Sequence, residues 1–421
     1  MNGSTALLGL AMLGSSRPPT TLNSLLYAER YLGGGTRTYS SFSDYIDVSP
    51  ACHPQTGGET FPLQTFWIQG GSGRWLNSRL TFEGIHDYFD GQRFLLPVHP
   101  DALSCDTLLY RDILQAAAPG PLLRVSPSAN VRTVFVHAID DRPVAPHWLK
   151  LHYPRRLSRF TRRLRQSIIE LELWVSDELH RVGIPILAEV AGGVIGAEPA
   201  ERWGFILREA MPRHQEIPPE SDFFPCFALY GTDHFEPARP PLLAQLIERS
   251  GEPAEAFIIE RILAPMITMW IRALRSAGLI LEMHGQNTMF AYHQQTGRSA
   301  VIYRDCALYV APELRQRTRL PLDYPAKNII GLDVMHPVPQ MLSLVYDRFM
   351  GDHLLAYIAR VAEERFQLPG HRMRQAAKEI FKANIGDLSS LFPGREYYYS
   401  DRLLPNNTWE LVDTGREPAW R

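Results

Sequence analysis

Long apolar runs are missing from this 421-residue chain. No stretch approaches the roughly 18 apolar residues that a membrane helix requires, so no membrane partner is expected. Ala6 to Leu13 is the one apolar run near the start. No basic residue precedes it, Gly9 interrupts it and Gly14 ends it, so a secretory leader is not expected. Cysteine is scarce: Cys52, Cys105, Cys226 and Cys306 stand far apart with no CxxC spacing. That pattern indicates neither a zinc site nor a disulfide framework, and it points to a reducing, cytoplasmic setting. Charge of one sign is lacking too. Lys and Arg total 43 against 45 Asp and Glu, a formal net charge of −2. No global field exists to gather nucleic acid or anionic lipid. What remains is an ordinary globular composition, 45% apolar and 21% charged, long enough for about two or three lobes.

Residues 1–60 are rich in Gly, Ser, Thr and Pro and read mostly as loop, with a helix at Tyr27 to Leu32. Strands are expected at Phe61 to Ile68, Val131 to Ala138, His147 to His152 and Trp203 to Arg208, with a short apolar run stopped by proline at Phe94 to Pro100 and a Gly-rich hairpin or strand pair over Ile184 to Ile195. Ala254 to Ala277 carries apolar residues at helical spacing, with Pro265 as a kink and Gly278 as its C-cap. Leu279 to Leu281, Thr288 to His293 and Ala300 to Tyr303 read as strands, the last two joined by a Gln-Gln-Thr-Gly turn. Asn328 to Leu391 reads as mostly helical. The class is α+β, with mixed β-sheets first and a helical C-terminal lobe last. The expected division is 1–60, 61–215, 216–327 and 328–421.

Two segments carry chemistry. The first is Glu282-Met283-His284-Gly285-Gln286-Asn287-Thr288, followed by Arg304-Asp305. Apolar runs flank it, and buried runs rarely carry such groups without partners. An amide, a carboxylate and phosphates are what commonly share a nucleotide's Mg2+. Each residue alone is compatible with a satisfied polar turn; together they favour a site. A kinase places an Asp base shortly before the metal-binding Asn. Here Met283, His284, Gly285 and Gln286 precede Asn287, which weakens a phosphotransferase. The second segment runs from Lys150 to Arg165 and includes Arg156, Ser158 and Arg162. It reads as a strand-to-loop-to-helix junction, where helix-end N–H groups and Arg forks favour phosphate or carboxylate. A solvated basic face and a nucleic-acid patch are the alternatives. His99, in Val98-His99-Pro100, and Arg208-Glu209 complete the candidates.

These segments, in this order, resemble the IucA/IucC family of NRPS-independent siderophore synthetases. Leu281 to Phe290 is similar to the family's E-x-H-x-Q-N-T signature and Arg304-Asp305 to its R-D. Leu96 to Pro100 resembles the inner H-P motif, Val131 to Thr133 the R-T strand, Lys150 to Arg163 the phosphate loop, Arg208-Glu209 the R-E strand and Asp401 to Leu411 the closing segment. The resemblance covers about residues 60–421. It implies a cupped-hand fold of fingers (61–215), palm (216–327) and helical thumb (328–421, the family's ferric-reductase-like C-terminal region). It also implies ATP and Mg2+ as cofactors. A carboxylate of citrate or another polycarboxylate would be adenylated and condensed with an amine or alcohol, releasing AMP and pyrophosphate. A homodimer or a partner synthetase is expected by the same analogy.

By motif, His284, Arg156 and Lys150 would be catalytic. Ser158, Arg162, Gln286, Asn287 and His99 would bind ATP and its phosphates. Asp305, Asn287 and Glu282 would hold the metal. The chain departs from the pattern in three places. The N-terminal G-H-P-x-H-P-x-x-K-x-R motif survives only as Cys52-His53-Pro54, Cys306-Ala307-Leu308 replaces Gly-Gly after R-D, and Arg159-Phe160 replaces small or polar residues. A weakly active or non-catalytic homologue that binds ATP, citrate or a partner synthetase is therefore the alternative, and a kinase-like phosphotransferase a further one.

Overall fold

A computed structural model describes residues 21–33, 48–105, 111, 114–157, 160–196, 198, 202–213, 217–218, 220–325, 336–403 and 409–421. The chain opens with helix α1 (Thr21–Tyr31), longer than the sequence suggests. Then come β1 (Phe61–Gln69), β2 (Gly73–Asn77), β3 (Arg93–Val98), the short α2 (Pro100–Leu103), β4 (Ala118–Pro119), β5 (Leu123–Pro127), β6 (Thr133–Ile139) and β7 (Arg142–Leu151). A small hairpin, β8 (Tyr153–Leu157) and β9 (Phe160–Arg162), leads into α3 (Gln166–Arg181). Strands β10 (Glu189–Ile195) and β11 (Trp203–Glu209) complete a nine-stranded sheet in the order β2-β10-β11-β7-β6-β5-β1-β3, with β4 beside β1. All its named pairings are antiparallel. The β6–β7 hairpin closes on Asp140 and Asp141, both at positive φ (44° and 62°). Acidic residues tolerate that conformation, which is the two-residue turn that matches strand twist.

The second half begins with β12 (Asp222–Pro225), α4 (Phe227–Tyr230), α5 (Leu242–Ser250), α6 (Ala254–Ile258) and α7 (Ala264–Ala277). The expected kink at Pro265 takes the form of a π-helical turn, Ile259–Leu263, in which the Ala264 N–H reaches back to the Ile259 carbonyl. The wider turn precedes the residue that has no N–H to give. Gly278 caps α7 at φ 62°. Next come β13 (Leu279–Ile280), β14 (Thr288–Tyr292), β15 (Ser299–Tyr303), β16 (Tyr309–Val310) and α8 (Pro312–Arg317). β12, β14 and β15 form a three-stranded antiparallel sheet. A helical lobe follows: α9 (Val338–Ser343), a long π-helical stretch Leu344–Leu355, α10 (Ala356–Phe366) and α11 (Gly370–Ile385), then the hairpin of β17 (Tyr397–Leu403) and β18 (Trp409–Asp413). The C-terminal Trp420 is buried against Gly351, and Arg421 pairs with Asp347 at 2.8 and 2.9 Å.

Two departures from the sequence reading matter for the site. The Lys150–Arg165 segment is not a single loop entering a helix: a β-hairpin intervenes. The Ile184–Ile195 pair is one strand, β10, preceded by an extended segment. That segment makes a parallel bridge, Ile186 to Tyr303, through Leu187 N–H to Tyr303 O (3.0 Å) and Tyr303 N–H to Pro185 O (2.9 Å). It stitches the small sheet to the large one next to Arg304-Asp305. Among the described residues no helix is long and apolar enough to cross a membrane.

The β10–β11 contact is close enough that only glycine fits at 204, where a Cβ would lie 1.7 Å from the Gly193 carbonyl oxygen. Both are paired mid-strand residues. We expect Gly204→Ala to lower unfolding free energy by about 2–3 kcal/mol, as overpacking does in rigid interiors. Urea titration checks this; an unchanged midpoint would mean that the strands separate freely.

Candidate functional site

The site is built around one ammonium group. Lys150 lies near the end of β7, paired with Thr133 of β6 and Ile206 of β11. The sheet face that carries Trp148, Ile206 and Arg208 is covered by the small sheet on one side and by α3 on the other. Lys150 is fully buried there, so its charge must be met by protein groups. Its Nζ lies 2.7 Å from Glu172 Oε2 and 2.6 Å from Asp305 Oδ1, with Glu189 Oε1 at 4.0 Å. Glu189 in turn takes the Arg208 guanidinium at 2.6 and 3.1 Å and the Cys306 N–H at 3.3 Å, and its own N–H donates to Ser176 Oγ at 3.0 Å.

Glu172 and Ser176 explain themselves on α3. With Ile169, Leu173 and Leu179 they occupy the buried face at helical spacing. Two polar residues on an apolar stripe are there for partners: one holds Lys150, the other positions Glu189.

Opposing effects set the titration of this cluster. Burial drives the Glu172 carboxyl up, to about 8, reinforced by the charge of Glu189 and opposed by Lys150. Burial acts the same way on Asp305, but Lys150, Arg208 and Arg132 outweigh it and hold that carboxyl well below the usual range. Burial would strip the proton from Lys150, yet Asp305, Glu172 and Glu189 raise its pKa instead. Asp305 is therefore ionised and Lys150 charged. Asp305 also stands at φ 75°, a left-handed conformation that side-chain-bearing residues adopt at a cost.

The Glu282–Thr288 motif is a compact turn. His284 O accepts from Asn287 N–H (3.1 Å) and Thr288 N–H (3.0 Å), and His284 Nδ1 accepts from Gln286 N–H at 3.2 Å. With Nδ1 an acceptor, the neutral ring carries its proton on Nε2 and can donate from that side. Arg304 ties the turn to the R-D pair: its Nε donates to Gln286 O (2.7 Å) and its N–H to Asn287 O (2.9 Å). The side-chain amides of Gln286 and Asn287 have no hydrogen-bond partner among the described residues. Gly285 admits no side chain, since a Cβ would meet the Tyr230 hydroxyl at 2.1 Å.

The helical lobe leans on this turn. Phe349 meets the His284 ring edge to face at 6.2 Å. The Tyr309 hydroxyl lies 3.4 Å from that of Tyr399 in β17, and burial with the charge of Glu282 nearby pushes its pKa up.

The candidates from sequence thus fall into three groups. Lys150, Asp305, Gln286, Asn287 and His284 come together on adjoining elements, with Lys150 and Asp305 in direct contact. Glu282 lies toward Tyr309 and Tyr399, and the carboxylates grouped with Asp305 are Glu172 and Glu189, whose oxygens all lie within 4.8 Å of one another. Ser158 is outside the described residues; Arg156 and Arg162 sit on β8 and β9, and their side chains are outside the description too. His99 is fully buried as the N-cap of α2, its Nδ1 accepting from Asp101 N–H at 3.1 Å. Burial lowers its pKa to about 4, so the ring is neutral and its remaining donor is Nε2–H, which has no partner.

Three participants were not read from the sequence: Glu29, Glu172 and Glu189. Glu29, on α1, pairs with Arg304 Nη1 and accepts from Ala129 N–H at 3.2 Å. The next residue, Arg30, binds the carbonyls of Pro54, Gly58 and Glu59. The segment read mostly as loop therefore contributes a strut to the site. Glu172 could have been noticed as an acid on the apolar stripe of α3; Glu29 and Glu189 have no local signature.

The donor set fits a hard divalent cation. Three carboxylates offer oxygen ligands, and Glu172 Oε1 is buried with no partner of its own.

No family model and no curated protein matches the sequence. Solved structures do match. They include ATP-bound aerobactin synthetase IucA from a hypervirulent pathotype of Klebsiella pneumoniae (13% identity, TM-score 0.58, covering 86% of this chain and 71% of that one). Another is petrobactin biosynthesis protein AsbB from Bacillus anthracis strain Sterne (13%, 0.57, 86% and 68%). Aerobactin synthetase IucC from the same Klebsiella pathotype also matches (16%, 0.53, 88% and 74%). The chain therefore has the fold of the siderophore synthetases, as the motif resemblance implied.

Two outcomes test this geometry. Glu29→Gln and Arg304→Met should each destabilise by about 3–5 kcal/mol, because each strands a buried charge. Their double-mutant cycle should show about 1–3 kcal/mol of coupling; additivity in urea unfolding would break the proposed strut. The second concerns pH. The unfolded His99 imidazole binds a proton near 6.5 and the folded one only near 4, so its contribution to stability is lost as pH falls through that window. His99→Asn keeps an acceptor for Asp101 N–H and removes the titration. It should flatten the acid-side loss of stability by about 1.4 kcal/mol per pH unit. An identical pH profile in the variant would show that His99 is already protonated.

Proposed function

We propose that this chain is a divergent siderophore synthetase of the NRPS-independent type: a cytoplasmic, ATP-dependent ligase that adenylates a carboxylate of citrate or a related polycarboxylate and condenses it with an amine or alcohol. The observation that carries the reading is the 2.6 Å contact between Lys150 and Asp305, 155 residues apart in sequence. Two motifs matched separately to one family meet at one point, beside the His284–Asn287 turn. In this reading residues 61–215, 216–327 and 328–421 are fingers, palm and thumb.

Adenylation sets a polyanionic carboxylate against a triphosphate, so like-charge repulsion is the main obstacle. One substrate carboxylate oxygen attacks the α-phosphorus, pyrophosphate leaves, and the amine or hydroxyl then attacks the acyl carbon, expelling AMP. Arg156 of β8 and Arg162 of β9, with Ser158 and Lys150, receive the phosphates. His284 donates from Nε2–H to the α-phosphate or to the incoming carboxylate, which lowers repulsion between them. The Asn287 amide oxygen and Asp305 hold Mg2+, and Gln286 binds the nucleotide. The bound ion neutralises developing phosphate charge. Holding both reactants in line supplies much of the rate through positioning. His99 acts through its Nε2–H on phosphate, and Glu282 either joins the metal or, through Tyr309 and Tyr399, faces the nucleophile.

The test is pyrophosphate release measured over citrate, 2-oxoglutarate and succinyl derivatives, each with a panel of polyamines, hydroxylamines and amino acids. Release should depend on a polycarboxylate, give AMP rather than ADP, and fall at least ~100-fold in Asp305→Ala and Asn287→Ala. Unchanged release in both variants would overturn the site. Tight ATP or citrate binding with no AMP across the panel would identify a non-catalytic homologue instead.

A further inference from the structure

Two of the three carboxylates around Lys150 lie outside the motifs that suggest a metal. Glu172 comes from α3 and Glu189 from β10, and both are fully buried. Their oxygens and one from Asp305 lie within 4.8 Å of one another, close enough to share a single cation. The cation in place is the Lys150 ammonium, bonded to Glu172 Oε2 and Asp305 Oδ1 and 4.0 Å from Glu189. An ammonium this deeply placed leaves one acceptor over: Glu172 Oε1 is buried and unpartnered. Asp305 is the one member with an opening, its side chain 16% exposed, and it adjoins the Asn287 turn. The cage therefore has a mouth on the side where the nucleotide is proposed to lie.

We propose that Glu172, Glu189 and Asp305 form one cation cage that holds either the Lys150 ammonium or a divalent metal ion, and that an arriving polyphosphate decides which by drawing Lys150 out. The inference rests on the ligase reading for the identity of the polyphosphate, but not for the cage itself. Charge explains the exchange. With Lys150 inside, a divalent ion would add to an ammonium and the neighbouring Arg208 and Arg132 guanidiniums, and the site would carry excess positive charge. With Lys150 withdrawn onto phosphate, three carboxylates face the metal, Arg208 and Arg132, and that excess falls by one charge. Oxygen-only ligation favours Mg2+ or Mn2+ over softer metals. Lys150 thus occupies the metal's place and couples metal entry to nucleotide arrival. Glu172 and Glu189 are positioning residues for Lys150 in one state and ligands in the other.

Mn2+ binding to the full chain, followed by loss of the free-ion electron paramagnetic resonance signal, tests this without turnover. Without nucleotide the wild type should bind weakly, and Lys150→Met should bind about tenfold tighter or better. Adding Glu172→Gln to that variant should remove the gain. A folded Lys150→Met with wild-type Mn2+ affinity overturns the proposal. If Lys150→Met is unstable alone, Mn2+ should raise its melting temperature where NaCl of equal ionic strength does not; no selective rise also overturns it. Glu172→Gln alone should weaken Mn2+ binding in the presence of ATP by about tenfold, and unchanged binding counts against the cage. A gain in Lys150→Met, together with no pyrophosphate release by the wild type on any substrate, would leave the cage standing and remove the ligase reading. Release with no gain would do the reverse.

Discussion

A buried lysine cannot be left alone, and that constraint organises this molecule. Lys150 is carried into the interior by a central strand of the large sheet, where an unpaired ammonium would be prohibitively costly. Its partners come from separate parts of the chain: a helix packed on the sheet, a strand two places away in it, and a residue just beyond the small sheet. Meeting that one charge fixes the small sheet against the large one, with Asp305 held in a left-handed conformation at the junction. Buried ion networks add little net stability but make alternatives expensive. Here the network specifies one docking of two sheets more than it strengthens it.

The same arrangement sets out the chemistry. The proposed reaction would set a polyphosphate against a polycarboxylate, and it would need positive charge and hydrogen-bond donors that are fixed in advance. Arg208 and the His284 turn are held by packing and by hydrogen bonds. The turn is held from three directions: Arg304 below it, Gly285 pressed against Tyr230, and Phe349 from the helical lobe. Glu29 secures Arg304 from the far side, so the first described helix is part of the site's foundation. A His99 imidazole kept neutral by burial belongs to the same logic: it caps a helix with one nitrogen and keeps a proton on the other.

Much of the site was legible because its residues are local in sequence. The His284–Asn287 turn, Asp305 and Lys150 lie in short motifs whose polar content contradicts their apolar flanks, and the order of those motifs resembled one family. The strands that carry them were legible as well, since alternation and turn residues act over a few positions. The β8–β9 hairpin was not, because Pro154 and a run of arginines disguise its alternation. The helix expected after that junction was given no extent or buried face, although Glu172 on the apolar stripe of α3 was a visible anomaly.

The sequence by itself determined the α+β class, the positions of most strands, the α7 helix with its Pro265 disturbance and Gly278 cap, and the cluster of groups suited to phosphate and metal. These follow from interactions between residues a few positions apart. Only the tertiary structure decided that Lys150 belongs to Asp305, that Glu172 and Glu189 rather than Glu282 join that carboxylate, and that Glu29 reaches Arg304. The reason is physical: a buried charge selects its partner by the distance and dielectric of the folded interior, and neither quantity is written in the spacing of residues along the chain.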